Sequence, residues 1–330
     1  MSAIPSRVVE STGLRLTELG LGCAQLGNLY RAVSDDEAAA TVDKAWELGI
    51  RYFDTAPHYG LGLSERRLGA ALAARTRDDY VVSTKVGRRL DPVAAPYGRD
   101  DEGFDVPATY RRVWDFSRDG VFRSLEQSLE RLGLDRVDLV FIHDPDDHWL
   151  EAVKEAYPAL EELRGQGVVA SIGAGMNQAE MLADFVRHTD MNVVMLAGRY
   201  TLLDQGALEE LLPLCVERGV SVVAAGVFNS GVLARDDPAD DAKYDYGPAS
   251  GDVLRRARRV ADVCRRHGVS LPAAAIAFPL AHPAVVGVCL GARSAEQIGR
   301  NVDLYRQTVP AALWSELEED GLVREFPTSA

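Results

Sequence analysis

The chain contains 330 residues with a formal net charge of −14, and 47% of its residues are hydrophobic and 26% charged. This composition is typical of a globular protein, and the negative charge argues against nucleic acid or an anionic membrane as the main partner, because both attract basic surfaces. No apolar run is long enough to span a bilayer, and the N-terminal residues do not resemble a signal peptide. The four cysteines form no CxxC pair, which favours reduced thiols over disulfides or a zinc site. We therefore expect a cytoplasmic protein without a metal.

Eight short apolar segments alternate with longer amphipathic segments along the chain. The segments predicted as strands are Leu19–Cys23, Ile50–Asp54, Tyr80–Lys85, Val137–His143, Val169–Gly175, Asn192–Gly198, Val220–Gly226 and Ala284–Gly291. Strands that are apolar on both faces and are each followed by a helix indicate a parallel sheet covered by helices. Eight such units predict a closed (β/α)₈ barrel, the TIM barrel, formed by residues 1–330 as one domain.

Helical segments lie between these strands, and several begin at Ser, Asp or Gly and end at Gly, as helix caps do. The clearest are "SDDEAAATVDKAWELG", "GVFRSLEQSLERLG", "EAVKEAYPALEELRGQG" and "GDVLRRARRVADVCRRHG". The alternative to a barrel is an open doubly wound sheet, which would carry GxGxxG after its first strand. The sequence there is "GLGCAQLGNL", which keeps only a partial GxG and so favours the barrel.

Two connections, residues 86–117 and 227–250, are too long to be simple turns. Long loops that follow the strands of a barrel lie over its C-terminal face, where active sites are found. Their aromatic residues Trp114, Phe116, Tyr244 and Tyr246 either line a pocket or anchor the loops, and the sequence leaves both possibilities open.

Four polar residues occur where predicted strands end. Asp54 ends the second strand, Lys85 the third and His143 the fourth, and Tyr59 lies in the loop after the second. Each residue alone also fits a turn, an ion pair or a structural histidine. Together at one barrel mouth they favour a proton-transfer site, in which the ammonium lowers the tyrosine pKa, the carboxylate holds the lysine and the histidine donates to a substrate oxygen.

The segments "RYFDTAPHYGLGLSERRLGAAL", "VVSTKVG" and "LGLDRVDLVFIH" resemble the aldo-keto reductases, and the resemblance extends from about Leu19 to Asn301. It implies a single-barrel enzyme that transfers hydride reversibly between a nicotinamide cofactor and a carbonyl or alcohol carbon. Tyr59 would be general acid in reduction and general base in oxidation, tuned by Lys85 and Asp54. Tyr59 and His143 would contact the substrate, as would Trp114 and Phe116 if they line the pocket.

Residues 291–301, "GARSAEQIGRN", follow the last strand and open its helix, whose backbone N–H groups favour phosphate. The resemblance implies that this segment holds the adenosine end of the cofactor and that "GVFNSGVLA", residues 226–234, lies along the pyrophosphate. On sequence alone the two segments also fit a helix cap and a glycine turn. The expected cofactor-binding residues are Gly22, Cys23, Asp54, Asn177, Ala225, Gly226, Val227, Phe228, Asn229, Ser230, Gly231, Leu233, Gly291, Arg293, Gln297 and Asn301.

Three positions depart from the family pattern. Ala225 stands where many members stack an aromatic ring on nicotinamide, and "GAGMN" replaces the usual Ser-Asn pair, which leaves Met176 or Asn177 as the substitute. Gln297 stands where many NADP-specific members have arginine, although Arg293 or Arg300 can meet a 2′-phosphate. The cofactor is therefore expected to be NAD or NADP, with NAD or dual use slightly favoured.

The run "GVFNSGVLA" and the segment "IHDPDDH", residues 142–148, resemble the aldose 1-dehydrogenase branch of the family. That branch oxidises the anomeric carbon of an aldose such as L-fucose to a lactone, and the related oxidation of pyridoxal acts on a cyclic hemiacetal too. The alternatives are a general aldehyde or ketone reductase, a metal-dependent hydrolase built from "HDPDDH" with His58 and Asp54, and a non-catalytic nicotinamide-binding regulatory subunit. The sequence gives no expectation for the oligomeric state.

Overall fold

A computed structural model describes residues 3–95 and 98–324 of the protein. Its strands, numbered in chain order, are β1 (Ser6–Val9), β2 (Leu14–Thr17), β3 (Leu19–Gly22), β4 (Tyr52–Asp54), β5 (Val81–Val86), β6 (Arg88–Pro92), β7 (Tyr110–Trp114), β8 (Leu139–His143), β9 (Ser171–Met176), β10 (Val193–Ala197), β11 (Ser221–Ala225), β12 (Lys243–Tyr244), β13 (Gly247–Pro248) and β14 (Val285–Gly291). Strands β3, β4, β5, β8, β9, β10, β11 and β14 form a closed parallel barrel. The eight predicted strands and the predicted barrel are thereby confirmed.

Helices cover the outside of this barrel. They are α1 (Asp35–Glu47), α2 (Leu63–Leu72), α3 (Arg118–Leu132), α4 (Trp149–Glu151), α5 (Tyr157–Gly165), α6 (Ala179–His188), α7 (Leu211–Arg218), α8 (Gly251–Arg266), α9 (Leu271–Leu280), α10 (Ala295–Tyr305) and α11 (Ala311–Glu319). A π-helical segment, Ala152–Ala156, joins α4 to α5. Ser34 and Glu37 form a reciprocal capping box at the start of α1, and Gly133 ends α3 in a left-handed conformation.

The register of the barrel brings the predicted functional residues to one level. Gly22 pairs with Asp54 between β3 and β4, and Lys85 pairs with Phe141 between β5 and β8. Because neighbouring strands run parallel, their C-terminal ends meet at the same rim. Asp54, Lys85 and His143 therefore lie near one another at the C-terminal face.

Within the described residues, three antiparallel hairpins, β1–β2, β6–β7 and β12–β13, supplement the barrel. The sequence did not predict them, since their strands have two to five residues and are mostly half-buried or exposed. The β6–β7 hairpin lies within the first long connection, and β12–β13 lies within the second. These two hairpins give definite structure to loops that were predicted only by their length.

The inside of the barrel and its outer surface form separate apolar clusters. Tyr52, Phe141 and Met195 pack inside the barrel, and the Val9 and Leu16 side chains of the β1–β2 hairpin join them. After α11, Leu322 and Val323 pack into the outer cluster beneath the helices. The predicted C-terminal tail continues into residues 325–330, which lie outside the described residues. In the described part of the chain, no helix has the length and apolar character needed to cross a membrane.

Candidate active site

Asp54, Tyr59, Lys85 and His143, here called the tetrad, meet at the C-terminal rim of the barrel. Lys85 Nζ donates to Asp54 Oδ2 at 2.7 Å and to Tyr59 Oη at 3.0 Å. The rings of Tyr59 and His143 are 5.9 Å apart and nearly perpendicular. The structure therefore brings together the four residues that the sequence grouped.

Further bonds hold the tetrad from below. Ser83 Oγ donates to Asp54 Oδ1 at 2.7 Å, and Lys85 Nζ also donates to the Thr55 carbonyl at 3.0 Å. Tyr52 Oη lies 3.0 Å from Ser83 Oγ, which extends the network into the barrel interior. Both oxygens of the Asp54 carboxylate are thus engaged, and the direction in which Lys85 presents its ammonium to Tyr59 is fixed.

Burial dominates the proton affinity of Tyr59. Removal from water raises the pKa of Tyr59 above its ordinary value, and the lowering influence of the Lys85 charge does not overcome it. The predicted lowering of the Tyr59 pKa is therefore wrong in net direction, because the sequence shows the neighbours of a residue but not its depth. For Lys85, burial opposes the charge, but Asp54 and Tyr59 outweigh it and raise the pKa. Lys85 is accordingly a cation.

Two neighbouring histidines remain neutral. Burial, followed by the positive charges of Arg88 and Lys85, lowers the pKa of His143 well below its ordinary value. Burial, followed by the positive charges of Arg88 and Arg112, lowers the pKa of His58 to about 2. The buried Nδ1 of His143 has no hydrogen-bond partner among the described residues. A neutral imidazole has one N–H to donate, so His143 can bind a substrate oxygen without itself becoming charged.

The tetrad opens into a cavity of about 370 Å³, here called the catalytic pocket. Its lining consists of Ala24, Leu29, Tyr30, His58, Tyr59, Lys85, Glu102, Phe104, His143, Asp144, Gly175, Met176, Asn177, Met195, Ala197 and Tyr246. Much of the lining is apolar or aromatic, and His58, Glu102 and Asp144 add polar groups. This mixture suits a small molecule that has both a ring and hydrogen-bonding substituents.

Of the four aromatic loop residues predicted as candidates for lining, Tyr246 lies in the catalytic pocket. Trp114 lines a neighbouring cavity with Arg88 and His148, and Phe116 is buried and stacks on Trp114 at 5.8 Å. The Phe116 ring packs so closely over Gly87 that a Cβ at that glycine would collide with it. The structure thus does not place Trp114 or Phe116 in contact with the catalytic pocket, and the half-buried Tyr244 packs against the core instead.

Two further cavities continue from the catalytic pocket across the rim, and together they are called the groove. The nearer, of about 390 Å³, shares Leu29, Tyr30, Asn177, Ala197 and Tyr246 with the catalytic pocket. The farther, of about 560 Å³, shares Gly291 and Arg293 with the nearer one and ends at Arg300 and Asn301. An extended molecule can therefore lie along the groove with one end beside Tyr59.

Most of the predicted cofactor-binding residues line this groove. They are Asn177, Gly226, Val227, Phe228, Asn229, Ser230, Gly231, Gly291, Arg293, Gln297 and Asn301. The other five do not line it: Cys23 and Leu233 are fully buried in the core, Asp54 lies beneath Lys85, and Gly22 and Ala225 lie in the barrel wall. Cys23 donates its backbone N–H to the Asp54 carbonyl at 2.8 Å, and its thiol donates to the Leu21 carbonyl.

The groove has features that fit a dinucleotide. Gly226 and Gly231 have φ values of 62° and 104°, which expose backbone to the groove without a Cβ. Gln25 Oε1 and Asn229 Oδ1 are buried and lack a partner among the described residues, so they are available to a ligand. At the far end, Arg293, just before α10, and Arg300, in the second turn of α10, add positive charge.

Several lining residues were not expected from the sequence. Gln25 lies in a short 3₁₀ helix after β3, and Tyr30 follows it at a φ of 61°. Arg199 and Lys243 line the nearer cavity, where Arg199 bonds to Asp245 at 2.8 Å. The position of Gln25 after the first strand was the available signal, whereas the other three depend on how the loops fold. Among the described residues, no group of three His, Cys, Asp or Glu side chains is placed to hold a metal.

Comparison with known proteins identifies the family. The sequence model of the Aldo/keto reductase family matches residues 18–319. The chain is 49% identical to D-threo-aldose 1-dehydrogenase of a Pseudomonas species, over 95% of this chain and 96% of that protein. It is 40% identical to pyridoxal 4-dehydrogenase of Microbacterium luteolum, over 98% and 99%. An aldo-keto reductase from Bacillus halodurans, solved in its holo form, superposes with a TM-score of 0.77 at 28% identity, over 97% of each chain.

The barrel has the (β/α)₈ fold, and the tetrad and the groove lie together at its C-terminal rim. The chain belongs to the aldo/keto reductase family, as its motifs predicted. It is an enzyme, and enzymes of this family use nicotinamide cofactors. This membership excludes the metal-dependent hydrolase that "HDPDDH" had suggested as an alternative.

Proposed function

We propose that the protein is an NAD(P)-dependent dehydrogenase that oxidises the anomeric carbon of an aldose of the L-fucose type to a lactone. The observation that carries the proposal is the position of Lys85, whose Nζ bridges Asp54 and Tyr59 at the base of a pocket continuous with the groove. The relative that is 49% identical bears the name of an aldose 1-dehydrogenase, which supports the choice of substrate.

Residues of the groove would hold the cofactor along its length. Gly291, Arg293, Gln297 and Asn301 would bind its adenosine half, residues 226–231 the pyrophosphate, and Asn177, at the junction with the catalytic pocket, the nicotinamide amide. When bound, the nicotinamide supplies the hydride acceptor. Because Arg293 and Arg300 lie at the far end, we propose that the groove takes NAD and can also take the extra phosphate of NADP.

The tetrad would handle the proton of the anomeric hydroxyl. Tyr59 accepts that proton as the carbon loses its hydride, so the hemiacetal becomes a lactone. Lys85 stabilises the phenolate that this step requires, and Asp54 keeps Lys85 charged and aimed at Tyr59. His143, being neutral, donates its N–H to the same substrate oxygen and fixes it beside Tyr59.

A second candidate substrate is pyridoxal in its cyclic hemiacetal form. The relative that is 40% identical over nearly the whole chain is a pyridoxal 4-dehydrogenase. Phe104 and Tyr246 line the catalytic pocket and offer ring surfaces to an aromatic substrate. The proton chemistry at Tyr59 would be the same, since pyridoxal would also lose its hydride and hydroxyl proton to give a lactone.

The test is the absorbance of reduced nicotinamide with L-fucose, D-arabinose, L-galactose and pyridoxal, each with NAD⁺ and NADP⁺. We expect rapid reduction of the cofactor with at least one aldose. Cofactor binding is measured separately, by the quenching of protein fluorescence. Reduction with pyridoxal alone would assign the second candidate. An enzyme that binds cofactor but reduces it with no member of the panel would contradict both.

A further inference from the structure

Asp144 directly follows a tetrad residue, and its backbone is unusual. Consecutive residues of a strand point to opposite faces, so the residue after His143 would normally turn away from the catalytic pocket. Instead, Asp144 has a φ of 41°, and its N–H donates to the Gly175 carbonyl at 3.0 Å. With this turn at the end of β8, His143 and Asp144 both line the catalytic pocket. Such a conformation is uncommon outside glycine, and its presence at a pocket points to a role there.

Arg88 holds the Asp144 side chain in place. Its Nη2 donates to Asp144 Oδ2 at 2.6 Å, and only 13% of the Arg88 side chain and 26% of the Asp144 side chain are exposed. The guanidinium also lies over the Trp114 ring, 4.5 Å from its centre, in a cation–π contact. Asp144 Oδ2 is 3.6 Å from His143 Nε2. The carboxylate is thus fixed next to the group that would bind the reacting oxygen.

The part of the catalytic pocket lined by Asp144, Glu102 and His58 has a chemistry that limits what it can bind. Carboxylates accept hydrogen bonds when ionised, so Asp144 and its neighbour Glu102 call for a ligand that brings donors. Glu102 already faces one cation, since its Oε1 lies 3.5 Å from Arg112 Nη1, and its Oε2 lies 3.6 Å from His58 Nδ1. An aldose has several hydroxyl donors around its reacting carbon, whereas a simple aldehyde has none. Arg88 occupies one acceptor site of the Asp144 carboxylate, and an ionised carboxylate has about four such sites, so this part of the pocket favours polyhydroxylated substrates that bring further donors.

We propose that Asp144 binds a second hydroxyl group of a polyhydroxylated substrate beside the reacting oxygen, and that Arg88 positions Asp144 for this contact. The inference rests on the proposed aldose oxidation and adds its specificity-determining residue. It also accounts for the first acid of "HDPDDH", which the tetrad leaves unexplained.

The test compares Asp144→Asn with Asp147→Asn, a matched control on the same loop whose side chain is exposed. The substrates are the best aldose of the wild-type enzyme and its monodeoxy analogues, each lacking one hydroxyl. We expect Asp144→Asn to lower kcat/KM for the full aldose by roughly 10- to 100-fold, mainly through KM, since a hydrogen bond to a charged group is lost. For the analogue that lacks the contacted hydroxyl, the same substitution should change little.

The outcomes separate this inference from the proposed function. A wild-type enzyme inactive on every aldose refutes the proposed function and this inference with it. Suppose instead that the wild type is active and Asp144→Asn lowers kcat/KM equally for all analogues, or changes it for none. Asp144 then binds no particular hydroxyl group of the substrate, and the inference is wrong. Fluorescence quenching by NADH should be unaffected by the substitution.

Asp144→Asn removes the charge that pairs with the buried Arg88, and this loss alone could destabilise the protein. A second variant therefore removes both charges. Arg88→Met combined with Asp144→Asn removes both charges of the pair and should show the same dependence on one hydroxyl. Arg88→Met alone should raise KM for the aldose with a smaller effect on the deoxy analogue, as expected for a residue that acts through Asp144. Equal losses with both substrates would indicate that Arg88 only supports the loop.

Discussion

In the proposed reaction, Tyr59 must change its protonation state in every turnover. Burial favours the neutral phenol and raises its pKa, while the Lys85 ammonium at 3.0 Å favours the phenolate. The pair is therefore poised to donate a proton more readily than to accept one. Reduction begins from the abundant form of Tyr59, whereas oxidation requires the scarce form.

This asymmetry predicts a pH profile that differs between the two directions. Because the Tyr59 pKa is raised, the phenolate fraction increases by about tenfold per pH unit through the neutral and mildly alkaline range. We expect kcat/KM for aldose oxidation to rise with pH between about 7 and 9, and kcat/KM for reduction of an aldehyde to stay nearly constant. Initial rates in both directions, measured in buffers of equal ionic strength, provide the check.

Tyr59→Phe is the control for this profile. It should lower both rates by roughly 100- to 10,000-fold and abolish the rise with pH, while leaving cofactor affinity unchanged. An oxidation rate that is flat over the same range in the wild type would show that Tyr59 ionisation does not limit the reaction.

At the residue scale, the sequence predicts which residues meet at the site better than it predicts their protonation or their depth of burial. The tetrad was predictable because strand ends of a parallel barrel converge, so Asp54, Lys85 and His143 fall together once the strands are known. The net pKa direction of Tyr59 was not predictable, since it depends on burial. The position of Phe116 was not predictable either, because it follows from close packing over Gly87.

At the scale of elements, the barrel strands were predictable because they are apolar on both faces. The hairpins were not, and β6–β7 matters most among them because it carries Arg88 into contact with Asp144. Most residues of its strands are half-buried or exposed, with Leu90 as the buried exception, so they carry no strong apolar pattern. The chemistry of the catalytic pocket thus depends partly on an element that sequence patterns do not reveal.

Helix packing gives a prediction with an internal control. Gly69 lies within α2, and a Cβ there would collide with the Leu132 carbonyl at the end of α3, whereas Gly299 within α10 has open space around it. Glycine to alanine in a helix ordinarily stabilises by about 0.5–1 kcal/mol. We expect Gly299→Ala to raise the free energy of unfolding by that amount, and Gly69→Ala to lower it by about 1–3 kcal/mol.

Equilibrium denaturation in urea, monitored by circular dichroism, measures both variants under the same conditions. Opposite signs for the two substitutions would support the close approach of α2 and α3. A stabilising Gly69→Ala would show that these helices can separate at little cost.

At the scale of the whole molecule, the two ends of the barrel differ in structure: one carries the candidate site and the other is closed by packing. The C-terminal rim carries the tetrad, the groove and the two long loops, and the N-terminal end is closed by the β1–β2 hairpin. That hairpin is tied to the barrel by Thr12, whose Oγ1 lies 2.8 Å from Ser171 Oγ, and by Arg7, which donates to the Val285 carbonyl at 2.8 Å. The separation predicts that changes at the closed end alter stability without altering catalysis.

Leu16→Ala tests this separation. The Leu16 side chain is fully buried where the hairpin closes the barrel, so its truncation should lower the free energy of unfolding by about 2–5 kcal/mol. Leu150→Ala, at a leucine that is 59% exposed, is the matched control and should cost less than about 0.5 kcal/mol. Below the unfolding transition, KM and kcat of Leu16→Ala should equal those of the wild type. A change in either constant would mean that packing at the closed end is transmitted through the barrel interior, from Leu16 past Phe141 to Met195 in the wall of the catalytic pocket.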